Sequence, residues 1–160
     1  MSKINDFVVK FANVNGSGSA SANAMFAKSI FRMGIPVTPK NIFPSNIQGL
    51  PTWFEVRISK HGYAARREGI DCFITLNPQT YQTDVKEILP GGYLVYDNTM
   101  PRNFSRKDIN YIGIPMASIC AENYDDPRQR QLFKNIVCLG ALAALLKIDI
   151  KKYDCHCHNI

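Results

Sequence analysis

A chain of 160 residues, 46% hydrophobic and 20% charged, has the size and apolar content of one globular domain able to bury a core. No apolar run approaches the roughly 20 residues that cross a bilayer, and Met1 to Lys10 lacks the basic-then-apolar layout of a secretory signal; no membrane role and a cytoplasmic location are expected. The net charge of +6, from 19 basic and 13 acidic residues, is scattered, without the interleaved aromatics or helix-turn-helix pattern that would point to nucleic acid.

The first predicted element is an apolar strand, Phe7 to Val14, followed by the small-residue turn "NGSGSAS" and a helix. Within Ala22 to Met33, the residues Ala22, Met25, Phe26, Ser29, Ile30 and Met33 recur at helical spacing and share one face, and Gly34 and Pro36 end the run. Strand, glycine turn and helix form the front end of nucleotide-binding α/β folds, where helix-start N–H groups face an anion. The spacing nevertheless fits neither named phosphate loop. Gly16 to Ser21 supplies two of three dinucleotide-fingerprint glycines and no P-loop lysine, and Lys40 and Asn41 stand where a ribose-binding acid belongs. Two readings stay open: Ser17, Ser19 and Ser21 cap the helix and add hydroxyls to an anion cradle assisted by Lys40, or Gly16 and Gly18 only permit positive φ in a tight connection.

A second strand, Ile35 to Lys40, leads into the loop "NIFPSNIQGLPT", Asn41 to Thr52. Its two prolines stiffen it, and Asn41, Asn46 and Gln48 give it side-chain amides. At the carboxyl ends of the strands it would emerge beside the glycine turn as a recognition loop; the alternative is a stiff surface loop packed under Trp53. Next, "WFEVRISKHGYAARRE" alternates and turns at Lys60 to Gly62, which predicts an antiparallel hairpin. It carries the densest basic cluster, Arg57, Lys60, His61, Arg66 and Arg67, either a docking patch or a solvated face.

Strands are predicted at Cys72 to Leu76, Tyr93 to Asp97 and Ile112 to Ile119, with a helix at Pro78 to Leu89 stopped by "PGG". Most of the strands lack alternation, as strands buried on both faces do. The expected fold is therefore α/β and Rossmann-like: a mainly parallel central sheet with an antiparallel hairpin and helices on both faces. The last helix, Pro127 to Lys147, starts with "DDPRQRQ" and becomes apolar all round at "IVCLGALAALL", so it is either an interface helix or a deep core helix.

Cys72, Cys120 and Cys138 sit in apolar runs and read as buried thiols in a reducing compartment; with Cys155 and Cys157 they lack iron-sulfur ligand spacing. Residues 1–150 are read as the domain and residues 151–160, "KKYDCHCHNI", as a disordered or truncated tail whose adjacent Cys and His do not fit a structural zinc site. No catalytic triad or metal set can be assembled.

Four blocks, "NGSGSASANAMFAKSIFRMGIPV", "NIFPSNIQGLPTWFEVRIS", "NPQTYQTDVKEILPGGYLVYDN" and "NIVCLGALAALLKI", together resemble the gamma-type domain of 2-oxoacid:ferredoxin oxidoreductases, in the form fused at the N-terminus of the 2-oxoglutarate-type alpha subunit. The resemblance covers about Phe7 to Asp149. It implies a module, silent alone, of an enzyme that oxidatively decarboxylates a 2-oxoacid to an acyl-CoA and passes electrons to ferredoxin. It also implies that thiamine diphosphate and iron-sulfur clusters belong to a thiamine-binding beta subunit and the rest of the alpha subunit, with coenzyme A as the ligand to expect near this domain. Gly16, Ser17, Gly18 and Ser19 match the family's glycine turn, Gln48 and Gly49 its second loop, and Arg57 its "RIS" strand; Lys40 joins them as a candidate anion contact. Ser19, Ala20 and Ser21 depart from the common GxGGQG form of that turn. The alternative reading is a free-standing nucleotide or small-anion binding module.

Overall fold

The computed structural model describes residues 5–44 and 49–148. Gln48 and Asn46 of the second loop, and the tail, lie outside the described residues.

One mixed sheet of six strands organises the chain. In chain order the strands are β1 (Asp6–Val14), β2 (Val37–Ile42), β3 (Pro51–Ser59), β4 (Ile70–Thr75), β5 (Ile88–Asp97) and β6 (Asn110–Ile114), and across the sheet they run β2-β3-β1-β4-β5-β6. β1, β4, β5 and β6 pair in parallel; β3 alone runs against its neighbours, antiparallel to both β1 and β2. The α/β class and the mostly parallel sheet are as expected from strands that lack alternation.

The predicted hairpin is corrected. β3 is antiparallel, but no strand returns after the turn at Gly62, and the chain instead crosses to β4 on the far side of β1. β3 lies between β2 and β1, so both of its edges are already paired and a returning strand has nowhere to bond.

The sheet separates two apolar layers. On one face Val9, Phe11, Phe54, Val56, Ile74 and Val95 pack against α1 (Ser19–Arg32), α3 (Met116–Asn123) and α4 (Pro127–Leu145). Ala22, Phe26 and Ile30 are buried on α1 as the spacing predicts, whereas Met33 at its end is exposed. On the other face Val8, Ala12, Phe73 and Leu94 are covered by α2 (Tyr81–Asp84), a 3₁₀ turn (Val85–Glu87) and the segment around Phe104 and Ile109. Buried Lys10 is held there by Glu87 at 2.5 Å and lies over the Trp53 and Phe73 rings.

Two further expectations change. The Pro78–Leu89 helix is only α2 plus the 3₁₀ turn, and "PGG" falls inside β5, where Gly91 (φ 77°) supplies the backbone freedom. The apolar run Ile112–Ile119 is split: β6 stops at Ile114, and α3 begins after Pro115, with its Ala117 and Ser118 N–H groups donating to Asp97 Oδ1 and Thr99 Oγ1.

α4 starts as its acid predicts, with the Asp126 carboxylate accepting from Arg128 N at 2.9 Å and Pro127 in the first turn. One side, Cys138, Leu139, Leu142 and Ala143, is buried in the core, while Leu132 (46%), Ile136 (40%) and Leu145 (48%) remain exposed. The helix is thus only half covered by its own chain. Among the described residues no helix is long and apolar enough to cross a membrane.

Candidate functional site

The central strand β1 ends at Val14, and the chain turns through Asn15, Gly16, Ser17 and Gly18 into α1. Gly16 (φ 83°) and Gly18 (φ 75°) both sit in the left-handed region, so the turn needs glycine for its backbone. Ser17 N donates to the Val14 carbonyl at 3.1 Å and closes it. Gly18 is the N-cap of α1, and no side chain caps the helix. The serines therefore do not cap as expected, and the first-turn N–H groups, which have no partner inside a helix, lie at the edge of a cleft lined by Gly16, Gly18, Ser19 and Ala20.

The second loop does join this turn. Asn15 N donates to the Leu50 carbonyl at 2.9 Å, and Gly49 N donates to the Asn15 carbonyl at 3.0 Å. Gly49 takes φ 87° to do so. From the other side, α4 reaches the turn: Asn135, 4% exposed, donates from Nδ2 to the Ser17 carbonyl at 3.0 Å.

Between α1, β1, β2 and β3 lies the cleft, about 410 Å³, closed by Asn13, Asn23, Asn41, Phe43, Thr52, Trp53 and Phe54. The sequence reading missed Asn13 and Asn23. The available signal was Asn13 itself, a polar residue breaking the otherwise apolar end of "FVVKFANV". Asn13 is 2% exposed, and neither its Oδ1 nor its Nδ2 has a hydrogen-bond partner.

The expected site residues separate into two groups. Gly16, Ser17, Gly18, Ser19 and Gly49 come together at the turn and its loop. Lys40 is exposed on the edge strand, in the register row of Glu55 and Lys10, while its neighbour Asn41 lines the cleft. Since alternate residues of a strand face opposite sides, Lys40 points away from it. Arg57 sits six residues along β3 from Pro51, about 20 Å from the turn. Its guanidinium is occupied: it pairs with Asp6 and donates to the Ile58 carbonyl at 2.7 Å. Bonding to that guanidinium holds the Asp6 carboxyl below its ordinary value.

Two more members of the basic cluster are also paired. Arg66 meets Glu55 at 3.4 Å and Arg67 pairs with Asp71, while Lys60, His61 and Arg66 are its exposed members. This favours a solvated, internally balanced surface over a continuous basic patch.

A second polar cluster holds the start of α3. Asp97 accepts from Thr99 Oγ1 at 2.7 Å and pairs with Lys134 of α4 at 3.0 Å. Burial pushes its carboxyl up, but the bonds from Thr99 and Lys134 outweigh this and hold it below the ordinary value. The three described cysteines are buried free thiols; burial pushes Cys72 and Cys138 up to about 12 and raises Cys120 as well. None is poised as a nucleophile.

The model of the family described as pyruvate ferredoxin/flavodoxin oxidoreductase matches residues 8–155. A relative, the alpha subunit of 2-oxoacid:ferredoxin oxidoreductase 2 from Aeropyrum pernix, is 29% identical over 82 residues, or 51% of this chain and 13% of the relative. The structure of a 2-oxoglutarate:ferredoxin oxidoreductase from Magnetococcus marinus, with 2-oxoglutarate, coenzyme A and succinyl-CoA bound, is similar with a TM-score of 0.82 and 25% identity, over 94% of this chain and 26% of that one. The gamma subunit of a keto/oxoacid ferredoxin oxidoreductase from Geobacter sulfurreducens shares the fold, with a TM-score of 0.73 and 17% identity over 92% of this chain and 82% of that subunit. This chain spans 13% of the curated relative and 26% of the Magnetococcus marinus chain.

Proposed function

The chain belongs to the pyruvate ferredoxin/flavodoxin oxidoreductase family, and on that footing we propose that it is the gamma-type module of a 2-oxoacid:ferredoxin oxidoreductase, with 2-oxoglutarate as the preferred 2-oxoacid. The whole enzyme decarboxylates the 2-oxoacid oxidatively, forms the acyl-CoA and delivers electrons to ferredoxin. The module does no bond-making of its own. Thiamine diphosphate and the iron-sulfur clusters are assigned to a thiamine-binding beta subunit and to the remainder of the alpha subunit, in the cytoplasm. Residues 1–150 form the working domain, with residues 151–160 appended to it.

The observation that carries this reading is the joined turn and loop, Gly16 to Ser19 against Gly49 and Leu50, at the carboxyl end of the central strand. In open α/β sheets that end is where ligands bind. Coenzyme A fits the residues present: uncapped N–H groups of α1 suit a phosphate, and the adjoining cleft has room for an extended arm. Lys40 and Arg57 are further from this role, the first by its direction and the second by its ion pair. The half-covered α4 supports a dependent module, since Leu132 and Ile136, one turn apart, form an exposed apolar strip that a neighbouring domain can cover.

Calorimetric titration of the assembled complex with coenzyme A tests the site. Gly18→Asp, which puts a carboxylate and a side chain at the N-cap, is expected to weaken binding at least tenfold; equal affinity for the parent and the variant would remove the turn from coenzyme A recognition.

A further inference from the structure

Gly140 is the unexplained residue of α4. It stands inside the helix on the exposed side, in ordinary helical backbone, and a Cβ built there would meet nothing within 4 Å. Neither a positive φ nor a close neighbour in its own chain calls for glycine, yet glycine is the poorest helix former after proline. A glycine on an open helix face has one remaining use: it lets another backbone come close from outside.

The row that contains it is complementary to itself. Leu132, Ile136, Gly140 and Ala144 follow at intervals of four, all exposed, and form one ridge along the helix surface. The first two are large and the last two small. Turned end for end, the same row offers small residues where the first offers large ones, Ala144 opposite Leu132 and Gly140 opposite Ile136, about a two-fold axis between residues 136 and 140. A foreign surface would not require the row to match its own reversal.

The ends agree in charge. Asp125 and Asp126 precede the helix with Arg128 beside them, all exposed, whereas exposed Lys147 follows the C-cap and residues 140–148 hold no acid. An antiparallel pair sets each net acidic start beside a basic end and opposes the two helix dipoles favourably.

We propose that α4 is the contact by which this module pairs with a second copy of itself, the two helices crossing antiparallel along this ridge with Gly140 where they come nearest. The domain that covers Leu132 and Ile136 is then the same domain of the second copy, whatever ligand the glycine turn holds. One helix pair buries less than the roughly 1,600 Å² of a standard interface. The isolated chains therefore associate weakly, and the pairing gains from other contacts in an assembled enzyme.

Sedimentation equilibrium of the full chain, with its thiols kept reduced, tests the pairing. The parent is expected to pass from monomer to dimer as concentration rises. Gly140→Ile is expected to raise the dissociation constant about tenfold, the effect of one overpacked side chain, with a melting temperature no lower than the parent's. Adding Ile136→Ala, which restores a small residue opposite the large one, is expected to recover most of that loss. A parent that stays monomeric, or a dimer indifferent to Gly140→Ile, would overturn the proposal. A weakened dimer that Ile136→Ala does not rescue would overturn the two-fold pairing. If the parent is monomeric and Gly140→Ile instead blocks co-purification with the thiamine-bearing partner, the ridge faces that partner and the second-copy reading is equally wrong.

Discussion

Asn135 of α4 donates from Nδ2 to the Ser17 carbonyl at 3.0 Å, joining residues 118 apart in sequence and fixing the glycine turn to a helix that keeps exposed apolar side chains. Leu132, one turn earlier on that helix, approaches the same place: a Cβ on Gly18 would lie 2.8 Å from its Cδ1. The turn is therefore clamped between α4 and the loop at Gly49 and Leu50. Whatever docks over the exposed Leu132 sits next to the proposed ligand site.

Asn135→Ala should remove the bond to Ser17 and leave that carbonyl without its partner. A loss of about 1–3 kcal/mol is expected from denaturant unfolding, with faster hydrogen exchange at residues 17–20. Unchanged exchange there would mean that the turn holds its shape without α4.

Gly18→Ala and Gly91→Ala both place a side chain at φ near 75°, but only the former meets a neighbour, the flexible end of Leu132. Each should cost about 1–2 kcal/mol of stability from backbone strain alone. Only Gly18→Ala should also weaken coenzyme A binding. An equal loss of affinity in both variants would trace the effect to general destabilisation.

Asn13→Leu should stabilise the unliganded chain, because it replaces an unpaired buried amide with an apolar group of similar size. A rise of about 1 kcal/mol in unfolding free energy is expected. A clear loss of stability would instead identify Asn13 as a structural residue.

The Asp97 carboxyl is held below its ordinary value of 3.8 by Thr99 and Lys134 against the opposing effect of burial. A depressed carboxyl contributes stability above its unfolded value and loses it as pH falls through the folded value. Asp97→Asn should therefore unfold at a lower temperature than the parent at pH 7, with the gap closing below pH 3.8. A gap independent of pH would assign the loss to packing.

Cys72, Cys120 and Cys138 should resist alkylation in the folded chain at pH 8 and react on unfolding, since burial raises all three thiols. Peptide mapping after a short iodoacetamide pulse checks this. Rapid native labelling at Cys72 or Cys138 would show that the core opens.

Local patterns made the front of the molecule legible. The apolar run of β1, the glycine turn and the period of α1 are each short-range signals, and all three form, with α1 starting at Ser19, three residues before the predicted Ala22. The insertion of β3 between β2 and β1 was not legible, because it depends on pairings such as Phe11 with Phe54 that join distant segments. Ile112–Ile119 misled because a short apolar run fits strand and helix alike; Pro115 marked the break. At the site, the glycines and their loop could be found by motif. Lys40 and Arg57 could not be placed, since their direction and pairing follow from register: Lys40 opposite Glu55, Arg57 opposite Val8.

Reconstitution measures the central claim most directly. The rate of 2-oxoglutarate-dependent ferredoxin reduction, with coenzyme A present, is recorded for the thiamine-bearing partner with and without this chain. The account predicts turnover only when the chain is added, with the two co-purifying as one species. Full turnover by the partner alone, with this chain remaining separate, would contradict it.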